Sequence, residues 1–336
     1  METFREESMN TLKTHFSSKK KFTIITHFNP DGDALGSSLG LKLYLEDKGH
    51  DVTSIIPSAS PPYYNWMPGF DTLKVYSDKN KAEFENYFRD VDFVFCLDFN
   101  HTSRVNALSE MLSQCAAPKI LIDHHEQPSD EFQYVYSYPG KSSTAELIYD
   151  FILQMDGKES ITKAIASCLY TGLITDTGGF QFSSTHASTH LMAATLIEKG
   201  IEPSVLFNNC FNNFSLNRLN LFGYCISETM KIFKEKKVAI IWIDKKTKDK
   251  FNIQEGDTEG LVNYPLKVMD IEASVLFKED YDKIRISFRS KNDTDVNVIA
   301  RKYFNGGGHK NAAGGMSKLK LVETLAFFES ILKEAF

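Results

Sequence analysis

Three short apolar runs each stop at a group that can hold a metal or move a proton. Residues 22–25 lead through Thr26 to His27, residues 91–97 end in Asp98, and residues 119–122 end in Asp123, His124 and His125. The second run, Val91-Asp92-Phe93-Val94-Phe95-Cys96-Leu97, is near-continuously apolar rather than alternating. That pattern suits a strand covered on both faces, as strands of parallel sheets are. Helical segments separate the runs, which implies βαβ units and an α/β fold with a mainly parallel sheet flanked by helices. In such sheets ligands gather at the carboxyl ends of the strands, where these groups fall.

Around this frame, residues 1–20 read as a polar, loosely helical lead-in. A helix is expected over 36–48, stopped by Gly49 as helices often are. Strands follow over 52–57 and 73–76, and a helix over 82–88. Between them, 57–69 reads as a surface loop or small lid carrying Pro61, Pro62, Tyr63, Tyr64 and Trp66. Helical periodicity returns over 142–155, 161–174 and 188–199. Residues 201–230 read as a helical connector, with the Asn-rich run at 208–213 marking a boundary. A smaller α/β domain is then expected, with strands over 238–243, 271–277 and 283–289 and a helix over 296–303. The Gly-rich run 306–315 follows, and 326–332 lies in a closing helix. The expected division is a catalytic domain over 1–200, a helical linker over 201–235 and a second domain over 236–336.

Size supports two domains, since 336 residues exceed what one core usually serves. The net charge of −6 argues against a general nucleic-acid coat. It leaves a phosphate-bearing substrate open, because a bound metal and a few arginines can reverse the local potential. The acidic start Met1-Glu2-Thr3-Phe4-Arg5-Glu6-Glu7 is unlike a secretory signal, and no apolar stretch approaches the ~20 residues that cross a bilayer. Five cysteines with no CxxC pair suggest buried thiols in a reducing cytoplasm rather than zinc or disulfide frameworks.

The stretch His27-Phe28-Asn29-Pro30-Asp31-Gly32-Asp33 reads in two ways by itself. It is a metal-binding turn, or an Asx turn whose Asp caps the next helix. Collected along the chain, the acidic and imidazole groups are His27, Asp31, Asp33, Asp98, Asp123, His124, His125 and Asp176. Two divalent cations ~3.5–4 Å apart need about that many ligands, with a carboxylate as bridge. Imidazole mixed with carboxylate favours Mn2+, or Mg2+ or Co2+, over Ca2+. Plainer readings stand beside each: Asp98 as a cap, Asp176 as a turn residue, His125 as structural, Arg104 as a solvated helix residue, and the Gly-rich run as a flexible turn. His186 and His190, four apart, have no acidic partner of the HExxH kind and read as ordinary helix residues.

His27-x-x-x-Asp31-x-Asp33, Asp98, Asp123-His124-His125 and Asp176 together resemble the four motifs of the DHH phosphoesterase superfamily. Gly306-Gly307-Gly308-His309 with Ala312-Ala313-Gly314 resembles the signature of the associated DHHA1 domain. The likeness covers nearly the whole chain and is nearest the short two-domain oligoribonucleases that also act on 3′-phosphoadenosine 5′-phosphate (pAp). It implies that His27 and Asp31 hold one cation, Asp33, His124 and Asp176 the other, and that Asp98 bridges. Asp123 would orient His124, and His125 would meet the scissile phosphate or leaving oxygen. Arg104, Arg289, Ser290, Gly306, Gly307, Gly308 and His309 would contact substrate, with glycine N–H groups closing on an anion. The implied reaction is hydrolysis of short single-stranded RNA to mononucleotides, and of pAp, by a metal-bridging hydroxide. A phosphodiesterase of cyclic dinucleotides or linear pApA is the alternative. The expected setting is cytoplasmic, with no membrane partner, and a homodimer is left open.

Overall fold

The first strand, β1 (Lys21–Thr26), lies at the centre of a sheet because both of its faces are apolar. Phe22 and Ile24 enter one core with residues of the helices on that side, and Ile25 enters another on the opposite side. The computed structural model describes residues 4–254 and 256–336. The first three residues of the expected lead-in lie outside them.

In chain order the first unit contains α1 (Glu6–His15), β1, α2 (Gly32–Asp47), β2 (Asp51–Ile56), β3 (Lys74–Val75), α3 (Lys81–Arg89) and β4 (Phe93–Leu97). It continues with α4 (Ser109–Gln114), β5 (Lys119–Asp123), β6 (Tyr134–Ser137), α5 (Thr144–Asp156), α6 (Lys163–Asp176), α7 (Ala187–Glu198) and α8 (Pro203–Phe211). The strands pair in the order β3-β2-β1-β4-β5-β6, all parallel. The chain runs outward from β1 to β3 and then returns to β4 on the other side of β1. That reversal leaves a crevice at the carboxyl ends of β1 and β4, the usual place for a ligand in such sheets. Register puts Thr26 beside Leu97 and Leu97 beside Ile122, so His27, Asp98 and Asp123 come off three neighbouring strands together.

Helices α2 and α6 touch through their backbones. Gly32, Gly36 and Gly40 recur every four residues along one face of α2. A Cβ at Gly36 would lie 2.5 Å from the Cys168 carbonyl oxygen and 2.7 Å from the Gly172 nitrogen. Gly32 meets Thr175 at the other end of α6, so the two helices are antiparallel and closely apposed. The contact brings Asp33, in the first turn of α2, to the end of α6 that carries Asp176.

The second unit runs from Phe214 to Phe336 and the first ends at Asn213, inside the Asn-rich run. Its elements are α9 (Leu216–Glu228), β7 (Met230–Phe233), β8 (Val238–Ile243), α10 (Lys245–Lys250), β9 (Ala273–Glu279) and β10 (Ile284–Ser290). Then come α11 (Val296–Phe304), β11 (Gly307–His309), β12 (Ala312–Ser317) and α12 (Leu321–Ala335). They build a mixed sheet in the order β11-β12-β10-β9-β8-β7. Ile284, Ile286 and Phe288 alternate along β10 into a core shared with Phe304 and Phe328, while Arg285, Ser287 and Arg289 occupy the other positions.

The α/β class, with a parallel sheet flanked by helices and a smaller second domain, is the one expected. Three local readings change. Helix α2 starts at Gly32, four residues before the expected start, because Asp31 Oδ1 caps it through the N–H groups of Asp33 and Ala34. Strand β6 was not expected from the sequence, since it is four residues long and half-buried at the sheet edge. The Gly-rich run is a β-hairpin, β11 paired with β12, rather than an irregular loop. Among the described residues no helix is long and apolar enough to cross a membrane, and the five cysteines are all buried.

The α2–α6 contact leaves no room for a methyl group. Gly36→Ala is expected to cost about 1–3 kcal/mol, read as a lower urea midpoint. An unchanged midpoint would mean that the helices separate without penalty.

Candidate metal centre

Each proposed ligand is delivered by the end of a regular element. His27 follows β1, Asp31 caps α2, Asp33 sits in its first turn, Asp98 follows β4, His124 follows β5, and Asp176 is the last residue of α6. Ligating atoms of His27, Asp31 and Asp98 lie within 4.8 Å of one another, and so do those of Asp33, His124 and Asp176. Asp98 joins the two sets. Its Oδ2 is 3.4 Å from His27 Nε2 and its Oδ1 is 3.5 Å from His124 Nε2. The Asp98 backbone has φ of +64°, a left-handed conformation that Asp tolerates better than most residues.

Hydrogen bonds set the face that each imidazole presents. His27 Nδ1 lies 2.9 Å from the Phe28 carbonyl oxygen, which can only accept, so Nδ1 carries the proton. Nε2 then points between Asp31 and Asp98. His124 repeats the design more loosely, with Nδ1 3.4 Å from the Lys141 carbonyl oxygen and Nε2 3.3 Å from Asp176 Oδ2. A backbone carbonyl behind the ring is a common means of orienting a metal-bound histidine.

Asp123 does not orient His124, contrary to the sequence expectation. Its Oδ1 accepts from His125 Nδ1 at 2.6 Å. Residues two apart on an extended chain share a side, which lets Asp123 and His125 meet, although both imidazoles still lie within 3.8 Å of Asp98 Oδ1. Asp123 Oδ2 is buried without a hydrogen-bond partner.

The charges are crowded. Burial raises the Asp33 carboxyl well above the usual range, and the charges of Asp98, Asp176 and Asp31 add to the effect. Burial likewise lifts Asp176 to about 7, against the opposing pull of His124. Burial would also raise Asp98, but His27, His125 and His124 outweigh it and hold the carboxyl below its ordinary value. For His27 burial opposes the charged form, yet Asp98 and Asp31 hold the imidazole up to about 9. His124 is raised too, by Asp176, Asp98 and Asp123 against its burial. Carboxylates that repel one another and imidazoles whose Nε2 atoms converge on them fit a divalent, oxygen- and nitrogen-ligated cation.

Sequence reasoning missed residues 141–145. The Thr144 and Ala145 N–H groups donate to Asp33 Oδ2 and Oδ1 at 2.7 and 2.9 Å, and the Thr144 hydroxyl donates to Asp98 Oδ1 at 3.0 Å. The available signal was Ser143-x-x-Glu146, a helix-start pattern lying shortly after β6.

Arg104 lies in a 3-10 segment, Thr102–Leu108, with an exposed side chain, and its carbonyl accepts from Phe28 N–H at 2.8 Å. Its backbone therefore sits beside His27. In the second unit, register aligns Arg289 with Ala312 and Ala312 with His309, so these two lie at one end of the sheet. Gly307 and Gly308 pair with Gly314 and Ala313. A Cβ at Gly306 would lie 1.9 Å from the Gly314 carbonyl oxygen, which requires glycine there. The Ser290 hydroxyl donates to the Thr294 carbonyl at 2.6 Å and accepts from Asn311, holding the turn before α11. His190 stacks on Phe180 in keeping with an ordinary helix residue, and Tyr63, Tyr64 and Trp66 pack onto their own domain.

Comparison with known proteins adds to this geometry. Models of the DHH family, N-terminal domain, and of the DHHA1 domain match residues 21–173 and 235–334. A Bacillus subtilis protein described as the bifunctional oligoribonuclease and PAP phosphatase NrnA is 29% identical over 313 residues, 92% of this chain and 93% of its own. A Thermus thermophilus protein of the same description is 30% identical over 298 residues, 88% of this chain and 83% of its own. Among solved structures, a Bacteroides fragilis protein described as exopolyphosphatase-related is 36% identical. It superposes with a TM-score of 0.93 over 98% of this chain and 96% of its own.

A cation held by the proposed ligands Asp176 and His27 would have to displace their protons. Apparent Mn2+ affinity of metal-stripped protein is therefore expected to rise as pH climbs through about 7 towards about 9. Calorimetry in buffers of different ionisation enthalpy counts the protons, and none released below pH 7 would contradict this charge balance.

Proposed function

The chain belongs to the DHH family and is a phosphoric ester hydrolase, and we propose that it trims short RNA oligomers to mononucleotides and dephosphorylates pAp. The observation that carries this reading is the pair of ligand sets joined through Asp98. The description of the Bacillus subtilis relative as oligoribonuclease and PAP phosphatase supports the choice of substrates.

In this reading His27 and Asp31 would hold one cation and Asp33, His124 and Asp176 the other, with Asp98 within reach of both ligand sets. The mixture of imidazole and carboxylate donors favours Mn2+. When bound, such a pair would polarise phosphoryl oxygens and lower the pKa of a water molecule. The chain's own residues do the rest. His125 donates Nδ1–H to Asp123, which fixes the ring with Nε2 on the opposite side, directed to the scissile phosphate or the leaving oxygen. Asp123 is thus the orienting partner of a proton donor, as carboxylates are for histidines in other hydrolases. Arg104, through its place beside His27, contacts a phosphate oxygen. In the second unit Arg289, Ser290, Gly306, Gly307, Gly308 and His309 are the proposed contacts to a phosphate or nucleotide. That unit has an excess of Lys and Arg over Asp and Glu, and the first unit has the reverse, which suits a division between phosphate binding and cation binding.

The test is a panel of substrates with Mn2+: a linear diadenylate, pAp and cyclic di-AMP. Release of AMP from the dinucleotide and phosphate from pAp is expected. Neither release would sink the proposal, and faster turnover of cyclic di-AMP would replace its substrate class. His125→Ala should lower kcat by about 100- to 10,000-fold while Mn2+ binding is retained. Loss of Mn2+ binding in that variant would make His125 a ligand instead.

A further inference from the structure

Residues 141–145 form a strap that reaches three of the six proposed ligands. The Lys141 carbonyl faces His124 Nδ1, the Thr144 hydroxyl donates to Asp98, and two N–H groups of the strap hold Asp33. This strap is gathered around one carboxylate. Glu146 is 1% exposed and accepts from the Ser142 N–H at 3.2 Å, the Ser142 hydroxyl at 2.6 Å and Lys141 Nζ at 3.0 Å. From α7 it also accepts the Ser188 and Thr189 hydroxyls, at 2.8 and 3.3 Å.

A plain helix cap does not account for this pattern. In a capping box the third residue of the helix reaches back to the N–H of the capping residue. Ser143 caps α5, but the Glu146 carboxylate passes it and bonds Ser142, one residue further into the strap. It also ties in α7, which a cap has no need of. Burial opposes ionisation of Glu146, but the Ser142 hydroxyl and the Lys141 charge outweigh it and hold its carboxyl below the ordinary value.

We infer that Glu146 is a positioning residue for one half of the metal centre, fixing through the strap the side formed by Asp33 and His124. The inference rests on the two-cation reading of the site. The other half has separate supports. His27 is held by the Phe28 carbonyl, Asp31 by the N–H groups of Asp33 and Ala34, and the intervening Asn29 by the Ser58 hydroxyl. Loss of the Glu146 carboxylate therefore acts unequally. Functional groups must be held to within about 0.5 Å, and Asp33 and His124 lose their direct supports, whereas His27 and Asp31 are reached only indirectly, through Asp98.

The experiment is Mn2+ titration calorimetry on metal-stripped protein, with electron paramagnetic resonance of the loaded sample. Wild type should bind two Mn2+ and show the signal of a coupled pair. Glu146→Gln should keep one site at wild-type affinity, weaken the other about 10- to 100-fold and lose the coupled signal. Tyr44→Phe serves as the control: it removes a half-buried bond between α2 and Asp156 of α5, and should lower Tm while leaving both sites intact. Where Glu146→Gln does not fold, Ser142→Ala removes the shortest bond to the carboxylate and should show the same selective weakening, to a smaller degree. Equal weakening of both sites, or two unchanged sites in a folded variant, would overturn the inference. A wild-type protein that binds fewer than two Mn2+ overturns the two-cation reading itself, so the two failures are told apart.

Discussion

Asp33, Asp98, Asp123 and Asp176 are brought close together in a largely buried place, where like charges repel strongly because little water screens them. Much of the first unit can be understood as the means of holding them there. Parallel register delivers His27, Asp98 and Asp123 from adjacent strands, and backbone contact between α2 and α6 delivers Asp33 and Asp176 from opposite helix ends. The helix ends treat the two carboxylates differently. Asp33 accepts from the first N–H groups of α5, where the helix dipole favours a negative charge. Asp176 closes α6, where the dipole disfavours one. Burial nevertheless raises both carboxyls, Asp33 well above its ordinary range and Asp176 to about 7.

Much of this arrangement is legible in the amino-acid sequence. The three apolar runs indicate strands because core strands of a parallel sheet are apolar on both sides, and each names its functional group by the residue at which it stops. Of the two readings of Asp31 the cap is the one seen, and the capping Oδ1 is also the oxygen 3.9 Å from His27 Nε2, which keeps the ligand reading open.

What is not legible depends on pairings between distant parts of the chain. Residues 141–145 carry no titratable group aimed at the site except through backbone and hydroxyl atoms, so a search for acidic and imidazole groups passes over them. Glu146 has the pattern of an ordinary helix-start glutamate, and its partners Ser188 and Thr189 lie about forty residues away. The Asp123–His125 pairing is within reach of the two-residue period, but the family resemblance points to His124 instead. In the second unit the Gly-rich run suggests a loop, because glycine weakens strand propensity. Its pairing with β12 comes from close backbone approach at Gly306, which only the tertiary fold supplies.

The central claim is that Asp98 joins two cation sites, one on each side of its carboxylate. Anomalous diffraction at the manganese edge, from crystals grown with Mn2+, tests it most directly. The account predicts two peaks about 3.5–4 Å apart, one beside His27 and Asp31, the other beside Asp33, His124 and Asp176, with Asp98 between them. A single peak, or two peaks of which Asp98 contacts only one, would contradict it.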